Sequence, residues 1–340
     1  DGDYVATLSA DLAGGGTLQK TLNFSLDRWT GRVDSPAWWD GAVLYEVFVR
    51  SFKDGRGADG TGDLEGLTAE LDYLNDGRPE TDTDLGVDAL WLMPVHPSPS
   101  PHGYDITDYE DIQPAYGTLE DYRGFVRGAH RRGMRVMLDY VVNHSSNQHP
   151  FFLAARHRPD SPYTGWYKFN DATNDAYTSF AGYGGMPELN FRSAPMRNYL
   201  LSMSRFWMDL DGDGDFSNGV DGFRCDVGKG PPHDFWRELR QAVKAWRPDF
   251  ALLGEVWDNT STIASYFHDQ YDMQFDYPLY YATLDLLQGK TDPHRFLRDY
   301  AGIRDAYPAG AQLVRFLDNH DNNRIGSLLA GDLRREKLAA

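Results

Sequence analysis

From residue 42 onward, short apolar runs alternate with longer stretches of helical periodicity. The apolar runs fall at 43–48, 87–93, 134–138, 222–226, 251–255, 273–275 and 313–317, and each reads as a strand buried on both faces. Between them, 118–132, 235–246 and 294–307 carry amphipathic helical patterns. The first of these opens with a capping box, Thr118 with Asp121. Strands alternating with helices predict a parallel sheet, and seven repeats point to a closed TIM-type (β/α)8 barrel rather than an open sheet.

Three regions break the repeat. Residues 140–195, after the third strand, are too long for a simple loop and are rich in aromatics, including Phe151, Phe152, Tyr163, Trp166, Tyr167 and Phe169. They read as a small inserted domain. Residues 1–30 hold two β-patterned runs around Gly14-Gly15-Gly16. Two strands cannot bury a core of their own. They read as the last strands of an upstream immunoglobulin-like β-domain, with Tyr4 approaching a tyrosine corner, or as a hairpin packed on the barrel. Only 19 residues follow Asp321. That is room for one helix from about residue 323, so the barrel at 37–340 is expected to lack its eighth strand, its last helix and any C-terminal β-domain.

The chain has 33 Lys and Arg against 51 Asp and Glu, a net charge of −18. This disfavours nucleic acid and anionic membranes as partners and suits a neutral ligand. No apolar run is long enough for a transmembrane helix, and no signal peptide is read in the chain. Cys225, the sole cysteine, rules out an internal disulfide. Between Arg224 and Asp226 on a strand it should face the helices as a small buried hydrophobe.

Polar residues at the C-terminal ends of barrel strands are the ones that carry chemistry. Here those ends read Asp139-Tyr140-Val141-Val142-Asn143-His144, Gly222-Phe223-Arg224-Cys225-Asp226, Leu253-Gly254-Glu255-Val256-Trp257 and Phe316-Leu317-Asp318-Asn319-His320-Asp321. One acid at a strand end is usually a cap or a surface charge. Several converging on one barrel mouth with an arginine are costly unless paired or used.

These four runs, in this order, resemble the four signature regions of the α-amylase superfamily. The resemblance covers 37–340 and is supported by 86–94, by His102-Gly103-Tyr104-Asp105 and by Met186-Pro187-Glu188-Leu189-Asn190. It implies retaining hydrolysis of α-glucosidic bonds, mainly α-1,4, in starch-like glucans or maltooligosaccharides. Asp226 would be the nucleophile, Glu255 the acid/base and Asp321 the third acid, gripping sugar hydroxyls. Tyr104 would be a platform under the sugar. His144 and His320 would bind its hydroxyls, Arg224 would hold Asp226, Lys229 would line the next subsite, and Asp139 would be a buried structural acid. Retaining chemistry needs two carboxyl groups about 5–5.5 Å apart, which adjacent strands can supply. Glu255 must hold a proton near neutral pH, and the charge of Asp226 is the expected cause. The substrate class implies an extracellular or periplasmic enzyme.

The pattern is not followed throughout. A histidine that often follows the lysine is Gly230 here, and 186–190 lies between neopullulanase-like and oligo-1,6-glucosidase-like forms. Cyclomaltodextrinase, neopullulanase or α-1,6 specificity, transglycosylation, and a non-catalytic binding barrel are the alternatives. Relatives carry a calcium loop after the first strand. The corresponding ligands are Asp54, Asp59, Asp63 and the carbonyl of Thr61, although Arg56 stands where a neutral ligand is usual. Calcium or a solvated turn fits this loop. Asp209-Leu210-Asp211-Gly212-Asp213-Gly214 also begins like a calcium loop but has Val220 at the twelfth position.

Overall fold

The computed structural model describes the backbone of residues 2–11 and 17–26, and residues 37–339 in full. The chain forms two compact units, Asp1–Ala37 and Trp38–Ala340. In the first, β1 (Gly2–Asp11) pairs antiparallel with β2 (Thr17–Leu26) from Gly2↔Leu26 to Asp11↔Thr17. The Gly14-Gly15-Gly16 loop and the side chain of Tyr4 lie outside the described residues.

The second unit is built on seven parallel strands. They are β3 (Leu44–Val47), β4 (Ala89–Leu92), β5 (Arg135–Tyr140), β6 (Gly222–Cys225), β7 (Ala251–Gly254), β8 (Met273–Phe275) and β9 (Gln312–Val314). Their spatial order is their sequence order, each strand pairing with the next. This is the winding of a (β/α) barrel, with β3 and β9 as unpaired edges among the described residues.

Strand alternation sorts the core into two layers. Trp91, Met137, Leu253, Met273 and Phe275 point into the barrel, with Trp38, Trp39 and Phe316 packed against them. Leu90, Leu92, Val136, Leu138, Phe223 and Leu252 join the larger cluster formed with the helices. Cys225 belongs to this outer layer and is fully buried, as its position between Arg224 and Asp226 predicts.

The N-terminal ends of the strands are sealed by a repeated device. Asp88, Asp221 and Asp272 each precede an even-numbered strand of the barrel, counting β3 as the first. Each accepts a backbone N–H from the neighbouring odd strand or its approach, from Val43 at 2.8 Å, Val136 at 2.8 Å and Leu252 at 2.9 Å. Asp221 is fully buried and also meets His130, Arg135 and Arg247 at 2.7, 2.9 and 2.7 Å. Burial pushes its carboxyl up, but the His130 hydrogen bond and the neighbouring charges outweigh this and bring it down to about 2.

Helix Leu119–His130 starts on the expected reciprocal cap of Thr118 and Asp121. The long excursion after β5 contains helix Pro150–Ala155 and the bridges His144↔Glu188, Tyr167↔Leu189, Phe169↔Tyr177 and Ser179↔Pro187. Its aromatics stack on one another, Phe151 on Tyr163 at 4.4 Å among them. It lies within the second compact unit. At the other end, the single helix expected from about residue 323 is two short ones, Ile325–Leu328 and Leu333–Ala339. The left-handed backbone of Ala330 and Gly331, φ 54° and 71°, separates them.

Candidate active site

A cleft of about 1060 Å³ opens at the C-terminal ends of the strands. Tyr104, His144, Asp226, Lys229, Glu255, His320 and Asp321 all line it. Arg224 lies behind them with no exposure.

The registers explain the gathering. Arg224 on β6 is level with Asp139 on β5, and Cys225 with Gly254 on β7. The next residues along, Asp226 and Glu255, therefore emerge side by side from adjacent strands, which run about 4.8 Å apart. Arg224 Nη1 donates to Asp226 Oδ1 at 2.6 Å and to Asp139 Oδ1 at 2.9 Å. Its Nη2 lies 2.7 Å from Glu255 Oε1, an ion pair without hydrogen-bond alignment. One guanidinium thus binds three carboxyl groups. Asp139 also accepts from Trp91 Nε1 at 3.2 Å and from the Tyr104 hydroxyl at 3.0 Å. It is a positioning acid, sealed from solvent.

Burial pushes the carboxyls of Asp226 and Glu255 upward, while Arg224 pulls both down. For Glu255, the backbone N–H of Val227 also opposes the rise, and the charges of Asp321 and Asp139 add to it. Burial, rather than the charge of Asp226, is thus the leading cause of the raised Glu255. The Val227 N–H reaches Glu255 Oε2 at 2.8 Å from a left-handed residue, φ 47°. That backbone is strained for a β-branched side chain. The turn is tied down beyond it: Gly228 N donates to the Glu255 carbonyl at 2.8 Å, and Trp236 Nε1 and the Tyr271 hydroxyl donate to the Gly228 carbonyl. Asp226 Oδ2 is buried and has no hydrogen-bond partner.

Other side chains complete the wall. The His320 ring stacks on Tyr104 with centroids 5.4 Å apart and planes 12° apart. Its Nε2 lies 2.8 Å from the Tyr104 hydroxyl and 3.2 Å from Asp321 Oδ2. His144 stacks on Phe180 and is clamped by its bridge to Glu188. Burial lowers its pKa to about 4, so it is neutral, and its Nε2 has no partner. Lys229 Nζ donates to the Trp257 carbonyl at 3.0 Å and to Asp258 at 2.8 Å. At Gly230 an added Cβ would fall 2.1 Å from Asn143 Oδ1, so Asn143 fills the space a side chain there would need.

Glu46, Trp257 and Arg324 also line the cleft and were not singled out from sequence. Glu46 had one legible signal, a charge inside the apolar run of the first barrel strand.

The expected calcium loop is arranged differently. Asp54 accepts from the backbone of Gly57, Ala58 and Gly60. Asp59 accepts from Thr61 N, and Asp63 caps helix Leu64–Ala69 while also accepting from Gly55 N and Arg56 N. These carboxylates serve the turn and do not gather around one point.

Comparison with known proteins agrees with this architecture. The family described as "Alpha amylase, catalytic domain" matches residues 46–340. The chain belongs to the α-amylase family. It is 36% identical over 324 residues to Alpha-amylase 3 of Dictyoglomus thermophilum, an alignment covering 89% of this chain and 61% of that protein. It is 32% identical over 339 residues to a cyclomaltodextrinase of Geobacillus thermopakistaniensis, covering 90% and 54%. Its fold matches the crystal structure of the α-amylase from H. orenii with a TM-score of 0.79 and 36% identity, over 88% of this chain and 65% of that one. The chain thus spans less than two thirds of the length of these relatives. Among the described residues, no helix is long and apolar enough to cross a membrane.

Proposed function

We propose that the cleft hydrolyses α-glucosidic bonds of starch-like glucans or maltooligosaccharides with retention of configuration. The observation that carries this reading is the arrangement around Arg224. Two carboxyl groups emerge from adjacent strands, and one oxygen of Asp226 is left without a partner. A single proton in the pair belongs on Glu255, because Arg224 hydrogen-bonds Asp226 at 2.6 Å and so favours its ionised form. Oδ2 of Asp226 then attacks the anomeric carbon as Glu255 protonates the departing oxygen. Water activated by the resulting Glu255 carboxylate breaks the glycosyl ester. The unpartnered Nε2 of His144 offers a contact for a sugar hydroxyl, and Tyr104 a face for its ring.

Relatives named α-amylase and cyclomaltodextrinase leave bond and substrate preference open. Gly230 follows Lys229, which lines the cleft, and stands where a histidine is often found, which favours testing cyclic and branched glucans beside starch. An extracellular or periplasmic site of action follows from a polymeric substrate and stands with this proposal.

The decisive test is covalent trapping. Glu255→Gln incubated with an α-glucosyl fluoride, which needs no acid to leave, should accumulate a glycosyl ester on the peptide holding Asp226. Asp226→Asn should show no such adduct and almost no turnover. An adduct on another residue, or an Asp226→Asn variant within a few-fold of the parent, would overturn the assignment.

A further inference from the structure

Between helix Ala194–Met208 and β6 the chain reads Asp209-Leu210-Asp211-Gly212-Asp213-Gly214-Asp215. Asp209, Asp211 and Asp213 each present a carboxylate oxygen, and these lie within 4.8 Å of one another. Arg247 reaches this loop through the carbonyls of Phe216 and Val220, yet its ionic contacts go to Asp221 and Asp249. No ion pair among the described residues neutralises the three acids.

A second observation points to what is missing. Asp209 is only 8% exposed, and its Oδ1 is buried without any hydrogen-bond partner. Its Oδ2 accepts from Gly214 N at 3.1 Å. Oδ1 of Asn218 is likewise buried and unpartnered, while its Nδ2 donates to Asp211 Oδ1 at 2.6 Å. Buried acceptors of this kind are costly when left alone. A water could donate to them but would leave three like charges together. A divalent cation answers both needs.

The loop also has the right turn. Gly214, the sixth residue counted from Asp209, has φ 87°, and the acids stand at the first, third and fifth positions. That is the start of an oxygen-ligand calcium loop, whose sharp turn needs glycine at that point. The usual bidentate acid at the twelfth position is absent, since Val220 is there and fully buried.

We propose that Asp209, Asp211 and Asp213, together with the amide oxygen of Asn218, form a calcium site. Calcium suits a flexible all-oxygen set better than magnesium, which demands strict octahedral geometry and keeps its waters. Without the bidentate acid the affinity belongs to the weak class, about 10⁻⁴–10⁻³ M. Arg123 holds the Leu210 carbonyl at 2.8 and 2.6 Å, so the loop is pinned on its outer side already. The ion would fix the lead into Asp221 and β6, at the opposite end of that strand from Asp226. Its role is to stabilise, not to react.

The test is calcium titration of the full chain, freed of metal with a chelator, by calorimetry and thermal melting. Asp211→Asn/Asp213→Asn alters two exposed residues and should fold; Asp213→Asn alone serves if it does not. Asp54→Asn/Asp59→Asn is the control for the other acidic loop. We expect one equivalent bound and a rise in Tm of a few degrees at ~10 mM calcium, about tenfold above the weak end of the range. Both effects should vanish in the Asp211/Asp213 variants and persist in the control. No heat and no Tm shift in the parent, or binding that survives in the Asp211/Asp213 variants, would overturn the proposal.

Discussion

Nδ1 of His320 lies 2.6 Å from Oε1 of Glu46, joining the two edges of the sheet at the mouth of the cleft. Glu46 is on β3 and His320 follows β9, and these strands share no backbone pairing. The side-chain contact does what a ladder does elsewhere. It continues through Tyr104, Asp139 and Arg224 to Asp226, so both edges are linked to the reacting pair by hydrogen bonds.

This link predicts a pH effect. The groups facing His320 are Glu46, Tyr104, Asp139, Arg224 and Asp321. Burial pushes its pKa down, but the Glu46 hydrogen bond and the Asp321 charge outweigh burial and Arg224, so the direction is up. The charged form is therefore complete below the ordinary histidine range and is lost as pH rises through the raised value. Glu46→Gln keeps an acceptor but removes the charge. His320 should then titrate at lower pH, read from its imidazole proton resonances and assigned with His320→Asn. If His320 carries its proton during turnover, the alkaline limb of kcat/KM should move the same way. An unchanged titration would show that Glu46 does not set the charge of His320.

The acid/base assignment predicts a dependence on the leaving group. Glu255→Gln cannot protonate a departing sugar, so glucans and maltooligosaccharides should lose turnover by about 10²–10⁴-fold. Aryl glucosides or glucosyl fluorides, which leave without help, should lose far less in their first step. Equal losses on both classes would assign the proton to another group.

Asp221 predicts acid sensitivity. Its carboxyl sits at about 2 in the fold, below the ordinary range near 4. A depressed carboxylate stabilises above its unfolded pKa, and the benefit is lost as pH falls from about 4 towards 2. The shift corresponds to about 2–3 kcal/mol. Asp221→Asn should remove this pH dependence, take from Arg135 its counter-charge and leave Arg247 with Asp249 alone, costing about 3 kcal/mol. Denaturant unfolding of both proteins at pH 7 and pH 3 checks it: the gap should be wide at pH 7 and narrow at pH 3.

The residues that were legible in the sequence are those whose position follows from alternation. Arg224 and Asp226 face inward and Cys225 outward because successive strand side chains oppose each other. The capping box at Thr118 is local chemistry and was equally visible. Strand ends were less so: the third barrel strand runs on to Tyr140, while the seventh stops at Val314 rather than at 317. Glu46 escaped because its partner is 274 positions away, and no local pattern encodes such a contact. The leading role of burial in raising Glu255 depends on how completely its neighbours enclose it, which a motif does not state. The turn at Val227 was hidden for a similar reason, since a valine gives no sign of a left-handed backbone.

That turn supports the last prediction. A β-branched residue with positive φ costs about 1–3 kcal/mol unless the surroundings enforce it. Here two bonded aromatics hold the next carbonyl, and the strained residue aims its N–H at Glu255 Oε2. Val227→Gly would relieve the strain, but it adds freedom to the unfolded chain and removes a half-buried side chain, effects of about 1 kcal/mol each in the opposite direction. The Tm should therefore move by only a few degrees. Activity should fall further, because a glycine at 227 no longer fixes where the N–H points and Glu255 loses a hydrogen bond to its charged form. Losing that bond raises Glu255, which must be protonated to act, so the alkaline limb of kcat/KM should shift upward in pH while KM changes little. Val227→Ala keeps a side chain that resists other conformations less than valine does, and should fall between the two. A glycine variant with the parent's pH profile would mean that the strained turn serves packing around Trp236 and Tyr271 and has no part in tuning the acid.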